Sequence, residues 1–578
     1  MDARWRSTFA RLSAGELLRE LRRETMVSPM RLREMADRFL VEMRRPDRAL
    51  FLLLLVANLV LIAWLPILGG HDLPQHLSYA RILADYDDPH LPFRDTFTLP
   101  DGPQAYFTTY YVLAALARVT SVMTACRLVY AAYAIALPLG FASLVSALGN
   151  DDARAPCWTA LLGPLLVWNP VSCMGFLPFM LALPALLWGA AEAQRWLRTG
   201  ARGHGMKLVV WSAVVVSLHI VAALFFGAFV LFCALARPGR RSLSLVAIVA
   251  ASMTVSVVLW QRAGPGHLAA LPSGLFAQHV ANEGVWAGVT CALGARWSTP
   301  GEKFELLAAT VFCPFPLFGK ILVGVVFASI SVALWSGRSA KESKEARRAL
   351  SPVRVSFVWA LVGFAILTAV LPTSLSAPDD ICLIDFRAMV VLAALSLAAI
   401  DPRVFAPTRA RRALVFGSAM VLALWARQLA GVAAEGQQVL RLVRRLGPSD
   451  VLLALPFHDR SQYLDDSNGL THYLPVYHTV LNGGVTSLFW GKFSHHLPIG
   501  YRPGKQPPHP PDWRPWEVDA QDLAAASSVL VEWPDPDEDE QAREGAGRLR
   551  VGLAGHFDSV ACEARWCLYR RTEARAAR

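Results

Sequence analysis

The chain has 578 residues, 54% of them hydrophobic, with a mean hydropathy of +0.37. Soluble domains usually hold about 45–50% apolar residues; the excess here comes in blocks of about 17–25 residues, the length that spans roughly 30 Å of hydrocarbon, so an ordinary soluble protein is excluded. The net charge of +11 does not point to nucleic acid, because the arginines gather in the N-terminal segment and in short loops between apolar blocks, where they meet anionic lipid headgroups.

Residues 1–48 are Arg-rich with Leu17, Leu18, Leu21, Met35, Phe39 and Leu40 interleaved, which predicts an amphipathic helix on the cytoplasmic membrane face. This basic segment is far longer than the charged region of a signal peptide. The first apolar block, Leu50–Leu68, is therefore expected to stay as a membrane anchor. A polar loop at 69–105 follows, then a short apolar stretch at Tyr106–Ala117 and a full span at Leu128–Leu148.

Trp158–Trp196 is too long for one helix and breaks at Asn169-Pro170. Basic residues at both ends predict a hairpin with its turn outside. Leu208–Ala236, with His219 near its centre, predicts a second hairpin by the same charge rule, a single tilted helix being the alternative. The blocks Leu243–Trp260, Leu317–Trp335, Val355–Leu371, Ala388–Ile400 and Ala413–Leu429 then alternate across the membrane. About eleven crossings result, with the N-terminus in the cytoplasm and the C-terminus outside it.

The domain reading is thus a basic segment at 1–48, a membrane domain at 49–431 and an extracytoplasmic α/β domain at 432–578. The last opens on a helix pattern (Val439, Leu440, Leu442, Val443, Leu446) and has strand-like runs at Val451–Leu455, Ser528–Glu532, Ser559–Ala561 and Trp566–Tyr569. The nine cysteines lie mostly inside apolar blocks and read as small hydrophobes. Cys562 and Cys567 are the candidate disulfide. The fold class expected is mainly α: a polytopic transmembrane bundle with a C-terminal soluble α/β domain.

The loop at 69–105 carries the densest chemistry. His71, Asp72 and His76 fall within six residues, and Leu73, Leu77, Ala80 and Leu83 have helical spacing. That predicts a helix lying flat at the interface with Asp72 near the headgroups and Arg81 close to Asp85. Asp72 fits two roles, a helix N-cap or a reactive carboxylate. His71, Asp72 and His76 also suit a divalent metal ion. His219 is an ionisable group inside an apolar region, and such groups face a cavity or the protein interior. In the tail, His458, His472, His478, His495 and His496, with Asn482-Gly483-Gly484 and Phe489-Trp490, offer aromatic and polar groups to a carbohydrate.

Asp72, Tyr79-Ala80-Arg81-Ile82-Leu83, Phe93, Pro103 and Tyr110-Tyr111, in that order, resemble the first extracytoplasmic loop of the GT-C superfamily, the polytopic glycosyltransferases that use polyprenyl-phosphate-linked sugars. Gly175–Leu197 and Ser217–Phe226 are similar to a bacterial subgroup of such proteins. The resemblance covers the whole chain and implies a membrane glycosyltransferase of the bacterial inner membrane. It would transfer a sugar, with inversion, from a polyprenyl-phosphate donor to a glycan, lipid or protein acceptor.

In that reading Asp72 is the general base or orients the acceptor, and Arg387, opening a span, binds phosphate bidentately. His71, His76, Arg81 and His219 line the substrate. Many members carry a second acid in the next outer loop. Here that turn has Asn169 instead, so Asp87, Asp88 or Glu283 would have to substitute. A non-enzymatic envelope protein of the same fold and a transporter or flippase are the alternatives. The chain has no duplicated halves, which weighs against the transporter.

Overall fold

The computed structural model describes residues 45–99, 108–149, 158–263, 299, 301–303, 352–374, 384–405, 408–458, 461, 463, 471–490, 499–510, 514–535 and 540–572. The expected amphipathic helix before residue 45, the span Leu317–Trp335 and Glu283 lie outside them, as do His495 and His496. Residues 54–578 form one compact unit.

Among the described residues the helices run α1 (Pro46–Trp64), α2 (Leu73–Ala84), α3 (Thr108–Val119), α4 (Val122–Leu148), α5 (Pro170–Met174), α6 (Leu177–Thr199), α7 (Arg202–Leu218), α8 (Ile220–Ala236), α9 (Arg240–Ala263), α10 (Pro352–Val370), α11 (Ile384–Ala398) and α12 (Thr408–Val443). By length and composition α1, α4, α9, α10 and α12 are able to cross a membrane, and α8 is a shorter apolar helix. These spans follow from their uninterrupted apolar runs, which a helix tolerates in lipid because all its backbone groups bond internally.

Two expected hairpins take a different form. The first arm of Trp158–Trp196 is not an α-helix but two 3₁₀ turns, Trp158–Leu162 and Pro164–Leu166, followed by the one-turn α5. The prolines at 164 and 170 account for this, since each lacks a backbone N–H and clashes with the preceding turn of a helix. Asn58 of α1 donates to Pro164 O, tying this irregular arm to the first span. The second hairpin is two 17-residue helices, α7 and α8, separated by the single extended residue His219. The expected span Ala413–Leu429 and the tail's opening helix pattern are one continuous helix of 36 residues, α12. The expected domain boundary at 431/432 therefore falls inside a helix.

The C-terminal region adds α13 (Tyr477–Asn482), α14 (Ala520–Ala525) and α15 (Glu540–Ala554). Its sheet has the order β3-β2-β5-β7-β6, with β2 (Val451–Pro456) parallel to β3 (Val485–Thr486) and to β5 (Ser528–Glu532), and β7 (Trp566–Arg571) antiparallel to both β5 and β6 (Phe557–Glu563). Side chains alternate faces along a strand. Leu453, Leu455, Val529 and Val531 accordingly pack on Ala546, Leu549 and Leu553 of α15, while Leu452 and Leu530 join the large helical core. The central strands are apolar throughout because both faces are covered. Cys562 and Cys567 are joined as a disulfide across the β6–β7 turn.

The segment after α1 is built onto this domain. β1 (Phe97–Thr98) pairs antiparallel with β4 (Gly500–Tyr501), and Arg502 donates to Arg94 O and Phe97 O. Tyr79, Ile82, Phe93, Phe97 and Tyr110 share one aromatic core with Tyr473, Leu488, Phe489 and Ile499.

At the start of α2 two backbones meet. Gly70 has φ +98° and Gly175 φ +76°. A Cβ on Gly175 would sit 2.7 Å from the backbone N of Leu73, and one on Gly70 2.9 Å from Gly175 Cα. Only glycine fits both the left-handed conformation and the gap. The approach lets Asp72 N donate to Met174 O at 2.8 Å. Gly175→Ala is expected to destabilise the folded protein by about 1–3 kcal/mol or more, read as a lower midpoint of thermal unfolding in detergent. Gly203→Ala, where an added Cβ meets nothing, is expected to leave the midpoint unchanged; equal midpoints for the two variants would refute the steric account.

Candidate functional site

Asp72 occupies the N-cap position of α2, yet its side chain makes no cap hydrogen bond and its backbone is helical (φ −86°, ψ −18°). Pro74 at the start of the helix removes one of the N–H groups a cap would serve. The carboxylate is thus not spent on capping, and it is 8% exposed. One neighbour is adjacent in sequence and the other comes from a distant segment. His71 Nε2 lies 3.8 Å from Oδ1, and the Arg387 guanidinium of α11 acts on it electrostatically.

Burial pushes the Asp72 carboxyl up to about 8, with Arg387 pulling the other way. The carboxyl is therefore poised near neutrality, where a general base works best. Burial also pushes His76 down to about 3, and Arg387 adds to the effect. His76 is neutral at physiological pH. Its Nδ1 is 2.8 Å from the Tyr110 hydroxyl, and its Nε2 has no hydrogen-bond partner among the described residues.

Arg387 lies over the Phe176 ring, 4.6 Å from its centroid, a cation–π contact that fixes its direction. Two positions earlier, the buried Asp385 accepts from Thr373 Oγ1 and from Phe386 N and so pins the start of α11. His219 Nδ1 accepts from Ala222 N as the N-cap of α8. The His219 ring meets Phe179 edge-on at 5.1 Å and stands within electrostatic reach of Arg387 and His76. Asp72 and His76 of α2, His219 and Arg387, from three separate segments, form one electrostatic group.

Other expected residues lie elsewhere or are already occupied. Asn169 caps α5: Oδ1 accepts from Val171 N and Ser172 N, and Nδ2 donates to Tyr133 Oη and Leu166 O. All four of its hydrogen-bonding positions are filled by protein, so the substrate-binding role expected of it is corrected to a structural one. Arg81 pairs with Asp85. Asp87 pairs with Arg94 and is 76% exposed, and Asp88 accepts from His90 N. Both lie past the far end of α2, a helix of twelve residues that places them ~18 Å or more from Asp72. They do not replace the missing second acid at the site. Glu283 lies outside the described residues. Among those residues no group of three or more His, Cys, Asp or Glu is arranged to hold a metal ion, His71, Asp72 and His76 included.

Two site neighbours come from the C-terminal domain: nothing in the sequence singles out Tyr473, and Trp490 reads there only as part of a separate carbohydrate-binding edge. Tyr473 packs edge-on against His71 at 4.6 Å, and Trp490 meets His76 at 6.1 Å and Tyr473 at 5.5 Å. Gln75, fully buried, holds that wall: Nε2 donates to Leu488 O and Oε1 accepts from Trp490 N. The signal was the unusual Gln between Pro74 and His76 on an otherwise apolar face. His478 is a core histidine, bonded to Asp450 O and Asn482.

No family model matches the chain, and no curated protein matches it in sequence. Among solved structures, the crystal structure of ArnT from Cupriavidus metallidurans bound to undecaprenyl phosphate matches with a TM-score of 0.50 over 90% of this chain and 97% of that one, at 15% identity. This chain has the fold of that structure. The expectation drawn from the first loop holds for the architecture: an integral membrane protein, polytopic and helical, with a C-terminal sheet domain. At this identity the likeness speaks for the fold and not for the chemistry, which rests on the group around Asp72. Within this fold, the protonated-carboxyl infrared band that Asp72→Asn removes is expected to titrate with a midpoint of about 8. Arg387→Gln is expected to move that midpoint higher, since the guanidinium favours the ionised form. A midpoint below about 5, the ordinary carboxylate range, would refute the buried placement.

Proposed function

We propose that the protein is a membrane glycosyltransferase that moves a sugar from a polyprenyl-phosphate carrier to an acceptor outside the cytoplasm. Its place is the bacterial inner membrane, with the N-terminus cytoplasmic and the C-terminal domain extracytoplasmic. The observation that carries this reading is the buried pairing of a carboxyl near neutrality, Asp72, with a guanidinium, Arg387, within electrostatic reach of each other. The fold, matched to a structure that holds undecaprenyl phosphate, supports the donor class.

The chemistry follows from the two groups. The acceptor oxygen attacks the anomeric carbon while its proton passes to the Asp72 carboxylate. The bond from that carbon to the phosphate oxygen breaks, and the electron pair leaves with the polyprenyl phosphate. Arg387 offsets the charge that develops there through planar, charge-assisted hydrogen bonds. Attack opposite the leaving phosphate inverts the anomeric centre. His76 stays neutral and offers Nε2 to a substrate hydroxyl. Tyr473 and Trp490 provide apolar faces beside it. No step needs a metal ion from this site.

The test is transfer from a radiolabelled polyprenyl-phosphate sugar in reconstituted vesicles, read as released polyprenyl phosphate. Asp72→Asn is expected to lower kcat/KM by about 10²–10⁴-fold, the usual contribution of a general base, with insertion into the membrane retained. In the unsubstituted protein log kcat/KM is expected to rise with pH and level off above about 8, because the active form is the ionised one. Undiminished transfer by Asp72→Asn, or a profile that falls through that range, would defeat the proposal. Absence of transfer by the unsubstituted protein across a panel of such donors would favour the non-enzymatic envelope protein.

A further inference from the structure

Positive charge gathers at the end of the bundle opposite Asp72. α6 starts two residues past Gly175 and runs for 23 residues, about 35 Å at 1.5 Å per residue, so its last turn lies across the bundle from the candidate site. The chain has no Asp or Glu between Glu192 and Glu283. Glu192 is already shared by Arg195 and His204, at 2.6 Å each. The turns at 199–202 and 237–241 bring Arg202, Arg237, Arg240 and Arg241 to this end. Among the described residues none of these four pairs with a carboxylate.

The two turns are neighbours in space. Arg241 Nη1 donates to Arg198 O at 2.7 Å, and Trp196 Nε1 donates to Arg241 O at 3.1 Å. Trp196 also packs on Gly205 of α7, and Arg241 on Gly200. A second, independent observation concerns Arg237. Its Nη1 is shut off from solvent and has no hydrogen-bond partner among the described residues. A buried donor left unpaired costs about 1–3 kcal/mol, and more when it is charged; a bound oxyanion would supply the acceptor. Arg237 as a whole is only partly buried, so an oxygen at the surface can reach the fork. The cluster is bordered by exposed apolar side chains, Met206 of α7, Leu235 of α8 and Leu243 of α9. Basic groups beside exposed apolar ones on a helix long enough to span a membrane mark the level where headgroups meet acyl chains.

We propose that the two turns form a binding site for an anionic membrane lipid that carries two phosphate groups. One phosphate takes the Arg237 fork in planar, charge-assisted hydrogen bonds, and the second meets the exposed guanidinium groups of Arg202 and Arg240. The acyl chains run over Leu235, Leu243 and Met206. Four guanidinium groups exceed the charge of a single phosphate diester, which favours a headgroup with two. In the topology proposed above these turns lie in the cytoplasmic leaflet, where basic pockets between spans hold such headgroups.

The test is native mass spectrometry of the full-length protein in detergent, titrated with tetraoleoyl cardiolipin, with dioleoyl phosphatidylglycerol, or with sodium pyrophosphate as a two-phosphate anion without acyl chains. Cardiolipin is expected to bind about tenfold more tightly than phosphatidylglycerol, and pyrophosphate not to bind at the same concentration. Arg237→Gln and, separately, Arg202→Gln are each expected to weaken cardiolipin by about tenfold, the scale of one charge-assisted hydrogen bond. Arg427→Gln, an exposed position on α12 outside the cluster, is expected to leave it unchanged. Arg202 is exposed, so its variant keeps the test decisive should Arg237→Gln unfold. Equal affinity for the two lipids, pyrophosphate binding as tightly as cardiolipin, or an Arg202→Gln effect no larger than that of Arg427→Gln would each overturn the proposal. The readout is binding alone, so the outcome does not depend on sugar transfer.

Discussion

The candidate site depends on a backbone contact. The chain leaving the first span turns at Gly70 and lies directly on Gly175, close enough that no Cβ fits between them. The resulting hydrogen bond from Asp72 N to Met174 O holds the carboxylate at the junction of α2 and α5, under the start of α11. The same junction brings Phe176, one residue past Gly175, under the Arg387 guanidinium. Two glycines thus place both charged groups.

Burial does the rest. A carboxylate in water titrates near 4; the one here is raised to about 8 because desolvation outweighs the nearby guanidinium. The neutral His76 beside it responds to the same two influences, and for a base both push downward. A cation among groups of this kind leaves an acid titrating near neutrality and a base kept neutral. The C-terminal domain contributes to this environment directly. Through Gln75, the β1–β4 ladder and the shared aromatic core it closes over α2, so the loop and the domain work as one body.

Much of the architecture was legible from local pattern. The apolar runs that form α1, α4, α9, α10 and α12 are readable because a span needs about twenty apolar residues in sequence. The strands β2, β5, β6 and β7 were marked by short β-branched and apolar runs. Cys562 and Cys567, five residues apart, pair across one turn. Asp72 and Arg387 stood out as charges at the ends of apolar blocks, and their proximity is a tertiary fact. The hairpin reading of Trp158–Trp196 went astray in its first arm because composition registered its apolarity while Pro164 and Pro170 controlled its backbone.

By itself the sequence determined that this chain lives in a membrane, roughly where it crosses, and which charged residues are expensive enough to need a reason. Hydrophobicity and period are local properties, written residue by residue. Only the tertiary structure decided that Asn169 is consumed as a cap, that Asp87 and Asp88 face solvent, and that Tyr473 and Trp490 stand beside His71 and His76. It alone brought the basic turns at 199–202 and 237–241 together. Those outcomes depend on contacts between residues as much as 415 positions apart, and no local pattern encodes which distant backbone a side chain will meet.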